Sequence, residues 1–176
     1  LKKFFEFYNL QGYKVINEFL IPTPKKEYNI PRIATEQGFK KLLNSIPKGN
    51  NPHHIRNRAV ISLLWDTGAR NGEIVSLNVS DLDLDNRKAL IRTEKSRGRR
   101  PIREIFWTPT TNALLKKWVS KRKHLYKLFS FEDLDALFVT VSKCGQNDVR
   151  GKRMTTFNVA EMLRTNSNRA GIPTMN

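Results

Sequence analysis

Cysteine occurs once, at Cys144, so an internal disulfide framework and a thiolate-based zinc site are both excluded. No apolar run approaches the length of a membrane span, and no signal-peptide pattern opens the sequence. Repeats and low-complexity tracts are missing too. Acidic residues are scarce: 16 Asp and Glu stand against 32 Lys and Arg, a formal net charge of +16. Nowhere do Asp, Glu and His take the spacing of a two-metal nuclease site. Asp81-x-Asp83-x-Asp85 lacks the glycine and terminal glutamate of an EF-hand loop and reads as a polar strand edge. His53 and His54 have no acidic or thiol partner at metal-ligand spacing and read as polar loop residues. Neither a metal nor a cofactor is expected.

What is present suits a polyanion. A hydrophobic fraction of 39% over 176 residues supports one core, and the periodic apolar segments argue against disorder. Large positive charge on a folded chain, without a membrane-length segment, points to nucleic acid in a reducing, cytoplasmic setting. The basic residues cluster. Arg92, Lys95, Arg97, Arg99, Arg100 and Arg103 fall within twelve residues, with Glu94 the one acid between them. Such like charges repel unless a polyanion screens them, so this stretch is expected to contact phosphates. Lys152 and Arg153, in a basic loop, are candidate DNA contacts as well. Lys116-Lys117 and Lys121-Arg122-Lys123 read as a helix surface, equally a solvated face or a phosphate contact.

The periodicity predicts a mainly α chain with one small antiparallel sheet, an α+β domain. Residues 1–21 read as a helix, in which Gly12 argues against an unbroken run; 22–32, with three prolines and no period, reads as a linker. Thr35 is placed to cap a helix ending in Leu42, Leu43 and Ile46. A second helix, Arg56 to Asp66, stops at Gly68, and a third begins near Asn71. Three short strands follow: Leu82 to Leu84, Ala89 to Thr93 and Arg100 to Phe106, the second hairpin turning at Arg97-Gly98. Thr108-Pro109 opens the next helix. Leu137 to Val141 is a short buried segment, and Thr155 or Thr156 caps a last helix closed by Gly171 and Pro173.

The densest chemistry lies in Thr67-Gly68-Ala69-Arg70-Asn71-Gly72-Glu73-Ile74, with Lys95 lying 25 residues beyond Arg70. A guanidinium keeps its proton at any working pH and offers a planar fork to two phosphate oxygens. Glu73 suits an orienter of that fork better than a base. The block, with Leu77 and Asp81-Leu82-Asp83 after it and a hairpin lysine beyond, resembles the first catalytic box of the tyrosine recombinase (phage integrase) family. The resemblance runs from about Ile21 to Pro173.

That resemblance implies a site-specific DNA recombinase, acting on duplex DNA with sister protomers as a tetramer. Arg70 would stabilise the reacting phosphate, and Lys95 would protonate the departing 5′ oxygen. It also implies that 1–21 is the last helix of a core-binding domain, against an N-terminal arm as the alternative, that 22–32 is the linker, and that 33–176 is part of a catalytic domain. The family's second box, His-x-x-Arg followed by a nucleophilic tyrosine, has no counterpart here. Tyr8, Tyr13, Tyr28 and Tyr126 all stand upstream of its place, and this chain alone is expected not to cleave. Three other readings remain: a non-catalytic DNA-binding module using the basic hairpin, a basic RNA-binding protein, and a type IB topoisomerase.

Overall fold

A computed structural model describes residues 2–13, 34–92, 102–128, 131–141 and 151–173. The chain divides into two compact units, Leu1–Pro31 and Arg32–Asn176.

In the first unit, helix α1 (Lys2–Leu10) carries Phe4, Phe5, Phe7 and Tyr8, whose rings pack edge-on or tilted. Helix α1 ends at Leu10 with Gly12 at φ 87° just beyond it, and the remainder of the expected helix, 14–21, and the linker 22–32 lie outside the described residues.

The second unit orders its elements as α2 (Glu36–Ser45), α3 (Pro52–Thr67), α4 (Asn71–Val75), β1 (Leu82–Asp83), β2 (Lys88–Arg92), β3 (Ile102–Phe106), α5 (Pro109–Leu128) and α6 (Thr156–Ala170). A single 3-10 turn, Val79–Asp81, leads into the sheet. The strands are antiparallel in the order β1-β2-β3. This is the mainly helical chain with one small sheet that the periodicity predicts.

Helix α3 is the axis of the unit. Ile55, Ala59, Val60, Ile61 and Leu63 are all buried, so it has no solvent face in that stretch, as befits a helix packed on several sides. It packs on α5, where Leu115 and Trp118 are fully buried, and on α2, where Phe39 stacks on Trp65 at 4.6 Å. Its start differs from the sequence reading. Pro52 occupies the first helical turn and Asn51 caps it by accepting the His53 N–H at 2.9 Å, so His53 and His54 are helical rather than loop residues. Proline fits there because the first N–H groups of a helix have no partner to lose.

Irregular chain between α5 and α6 is held by side chains. The carbonyls of Leu134, Ala136 and Leu137 accept from Arg122 Nη2 at 2.6 Å, Arg122 Nε at 2.8 Å and Trp118 Nε1 at 2.9 Å. Without a regular ladder, buried carbonyls must find such donors. Arg122 is therefore buried, its guanidinium 5.4 Å from the Phe131 ring centroid, and not on an exposed helix surface as the lysine-rich run suggested. Gly151 permits the close approach of the next segment: at φ 54°, an added Cβ would lie 2.5 Å from the Phe131 ring.

Candidate active site

The turn after α3 is built by its own residues. Thr67 Oγ1 donates to Leu63 O at 2.6 Å and accepts the Ala69 N–H at 3.2 Å. Gly68 takes the left-handed conformation, φ 58°, and its N–H closes on Leu64 O. The chain then reverses into extended geometry at Arg70, φ −70° and ψ 151°, the N-cap of α4.

Glu73 sits three residues on, at 3% exposure. Its Oε2 accepts the Arg70 backbone N–H at 2.9 Å, which caps the helix, and its Oε1 accepts from Arg70 Nη1 at 3.3 Å. The same carboxylate takes a third bond, 3.0 Å from Arg103 Nη2 to Oε2. Ionised donors and acceptors make such bonds about twice as strong as neutral ones. Glu73 is thus a buried anion satisfied by two arginines whose side chains remain 64% and 45% exposed. The electrostatic result is a pair of outward cationic forks oriented from one buried point.

Arg103 reaches Glu73 because of strand register. It opposes Ile91 and shares the inner face of the sheet with Ile105 and Ala89. Sequence reasoning placed it among the phosphate contacts and missed the link to Glu73. The period-two series Arg103, Ile105, Trp107 was a visible signal, since its other members are core.

The remaining candidates are distributed. Arg92, at the end of β2 opposite Ile102, is exposed and forms no ion pair with a described residue. It leads into 93–101, so Lys95, Arg97, Arg99 and Arg100 lie outside the described residues, as does the Arg97-Gly98 turn. Lys152 pairs with Glu132 at 3.1 Å with both groups about half exposed. Arg153 behaves differently from its neighbours. It donates to Asp133 Oδ2 at 2.9 Å, Val75 O at 3.0 Å, Leu77 O at 3.1 Å and Asn78 Oδ1 at 2.6 Å. Its guanidinium fastens two backbone carbonyls and two side chains, and those donors are not free for a phosphate. At Asp133, partial burial works against the charged form, yet the Ala136 N–H and the Arg153 guanidinium hold the carboxyl below the usual range.

Beside Arg70 runs an apolar groove of about 540 Å³, lined by Phe39, Leu64, Trp65, Ala69 and Leu163 among others. Among the described residues no group of His, Cys, Asp and Glu could hold a metal ion, and no helix is long and apolar enough to cross a membrane.

The model of the phage integrase family matches residues 32–175. Tyrosine recombinase XerD of Neisseria meningitidis serogroup B is 31% identical over 130 residues, covering 72% of this chain and 41% of the relative. The structure of XerA recombinase superposes with a TM-score of 0.64 at 23% identity, covering 99% of this chain and 54% of that one. The XerH site-specific recombinase, in its post-cleavage complex with palindromic difH substrate, gives 0.59 at 25% identity over 83% of this chain and 38% of its own. The chain therefore spans about half, or less, of the proteins it matches.

Proposed function

Because the chain belongs to the phage integrase family, we propose that 33–176 forms the arginine-bearing part of a tyrosine recombinase catalytic domain, which cuts and rejoins duplex DNA through a 3′-phosphotyrosyl intermediate. The observation that carries this reading is the buried Glu73 carboxylate shared by Arg70 and Arg103. A lone surface arginine samples many rotamers; one anchored to a buried carboxylate presents its fork ready for a tetrahedral group.

Arg70 binds non-bridging oxygens of the scissile phosphate. As a tyrosine oxygen bonds to phosphorus and the bond to the 5′ oxygen breaks, negative charge grows on those oxygens. A preplaced guanidinium then stabilises the transition state more than the ground state. Lys95 supplies the proton to the leaving 5′ oxygen, and a second strand's 5′ hydroxyl reverses the step without ATP. Arg92, Arg97, Arg99, Arg100 and Arg103 contact the backbone around that phosphate. We assign the nucleophile to no tyrosine of this sequence: Tyr126, for one, packs its ring on Phe131 at 5.8 Å. The 176-residue chain by itself is expected to bind duplex DNA without becoming attached to it. Further copies of the recombinase, assembled on DNA as a tetramer in the cytoplasm, complete the reading.

The test is Arg70→Ala in a recombinase containing this chain, trapped on a nicked suicide substrate. Covalent complex should fall on the order of a thousandfold with the melting temperature nearly unchanged, because the side chain is mostly exposed. Undiminished trapping removes the catalytic assignment of Arg70, and absence of any covalent complex with the parent recombinase leaves a DNA-binding module.

A further inference from the structure

Arg56 carries a charge into the core without a counter-charge. It is 5% exposed. Nε and Nη2 donate to Asn57 Oδ1 at 3.1 and 2.8 Å, and Nη1 donates to Val139 O at 3.0 Å. All these acceptors are neutral, and no described carboxylate forms an ion pair with the group. A guanidinium has five N–H bonds, so two remain without an acceptor among the described residues. Burial alone pulls its pKa down to about 10. Pinning Val139 to α3 requires only one N–H and no charge, so the structural task leaves the cation unexplained.

Arg56 is among the residues lining an open cleft of about 460 Å³ between the first turn of α3, Thr140-Val141 and α6. Asn57 and Asn166, at 2% and 3% exposure, form polar walls, and Arg169 stands among the lining residues, donating to Asn166 Oδ1 at 3.5 Å. The one carboxylate in the lining is Glu161, and both its oxygens are taken by Arg164 at 2.9 and 2.7 Å. The N-terminus of the 16-residue helix α3 adds partial positive charge at the same wall.

We propose that this cleft binds a small oxyanion, a phosphate or carboxylate group of a free solute, through the Arg56 fork with Arg169 as the outer cation. A duplex is too broad to bring a backbone phosphate onto a guanidinium exposed at 5%. The site is also remote from the Arg70 turn: Arg56 and Gly68 lie at opposite ends of α3, about 18 Å apart along a helix axis rising 1.5 Å per residue. The proposal stands whether or not the chain is a recombinase.

The experiment is a thermal melt of the 176-residue chain titrated with sodium phosphate or citrate against sodium chloride at matched ionic strength. Phosphate or citrate should raise the melting temperature saturably where chloride does not. Arg169→Glu, at an exposed position, should keep the ligand-free melting temperature and weaken the apparent affinity by at least about tenfold, as expected from reversing one charge a few ångströms from an anion; Arg169→Lys should restore most of it. Arg56→Lys, which keeps charge and loses the fork, should abolish the shift. If that variant does not fold, the Arg169 pair decides alone. Equal shifts with chloride, or unchanged affinity in Arg169→Glu, would overturn the proposal. So would weakened binding of a short duplex by Arg169→Glu, which would give the cleft to DNA.

Discussion

Arg103 Nη2 donates to Glu73 Oε2 at 3.0 Å, joining a strand to the turn that presents Arg70, 30 residues earlier in the chain. The bond makes the orientation of Arg70 depend on the sheet. A buried carboxylate with two exposed arginines is an electrostatic hinge pin: remove the anion and both forks lose their anchor.

Glu73→Gln removes the buried charge and leaves two largely solvated arginines, so it should destabilise the domain by about 1–3 kcal/mol, the cost of losing a charged hydrogen-bond partner. Arg103→Ala, although its side chain is 45% exposed, should cost a comparable amount, because it leaves the buried carboxylate one donor short. The pair should not add. A double-mutant cycle in urea is expected to return a coupling energy of about 0.5–3 kcal/mol, and a coupling indistinguishable from zero would mean that the two groups do not share the load.

Neutralising Arg97, Arg99 and Arg100 together should lower the slope of log affinity against log salt for duplex DNA by about one for each phosphate no longer neutralised. Arg153→Met should leave that slope alone while lowering the melting temperature, because its donors hold Val75, Leu77, Asn78 and Asp133. A reduced slope for Arg153→Met would make it a DNA-binding residue after all.

Acid should loosen the 131–141 segment. The folded Asp133 carboxyl lies below its ordinary value. Its unfolded form therefore binds a proton more readily than the folded form. That contribution is complete above the ordinary carboxylate value, near pH 3.9, and is lost as pH falls from there through the folded value. Asp133→Asn should lower stability at neutral pH and flatten the acid limb of the stability curve below about pH 5. An acid limb parallel to that of the parent chain would show that other carboxylates carry it.

Local chemistry was legible from residue types. Thr35 and Thr155 cap their helices as their positions suggest, accepting the Gly38 and Asn158 N–H groups. Gly68 and Gly171 end α3 and α6 in the left-handed region because only glycine does so freely. β1 ends and β2 begins one residue earlier than the alternation suggests, the ordinary uncertainty of element ends, while 93 and 100–101 lie outside the described residues. The basic residues were harder. Arg56, Arg58, Arg122 and Arg153 look in sequence like any other positive charge, yet each donates to backbone carbonyls. Part of the basic composition that suggested DNA is thus engaged in holding irregular backbone.

The order of residues alone determined the backbone path of the Thr67–Glu73 turn, since the bonds that cap and reverse it span four residues or fewer. Strand alternation likewise fixed which side of β3 faces inward. Only the tertiary structure decided that Arg103 would share the Glu73 carboxylate, that Arg153 would be tied down, and that Arg56 would be sealed inside. Those outcomes rest on hydrogen bonds between residues 30, 75 to 78 and 83 positions apart. A guanidinium is long enough to serve water, phosphate or carbonyl equally well, and which one it meets depends on what packing brings within 3 Å.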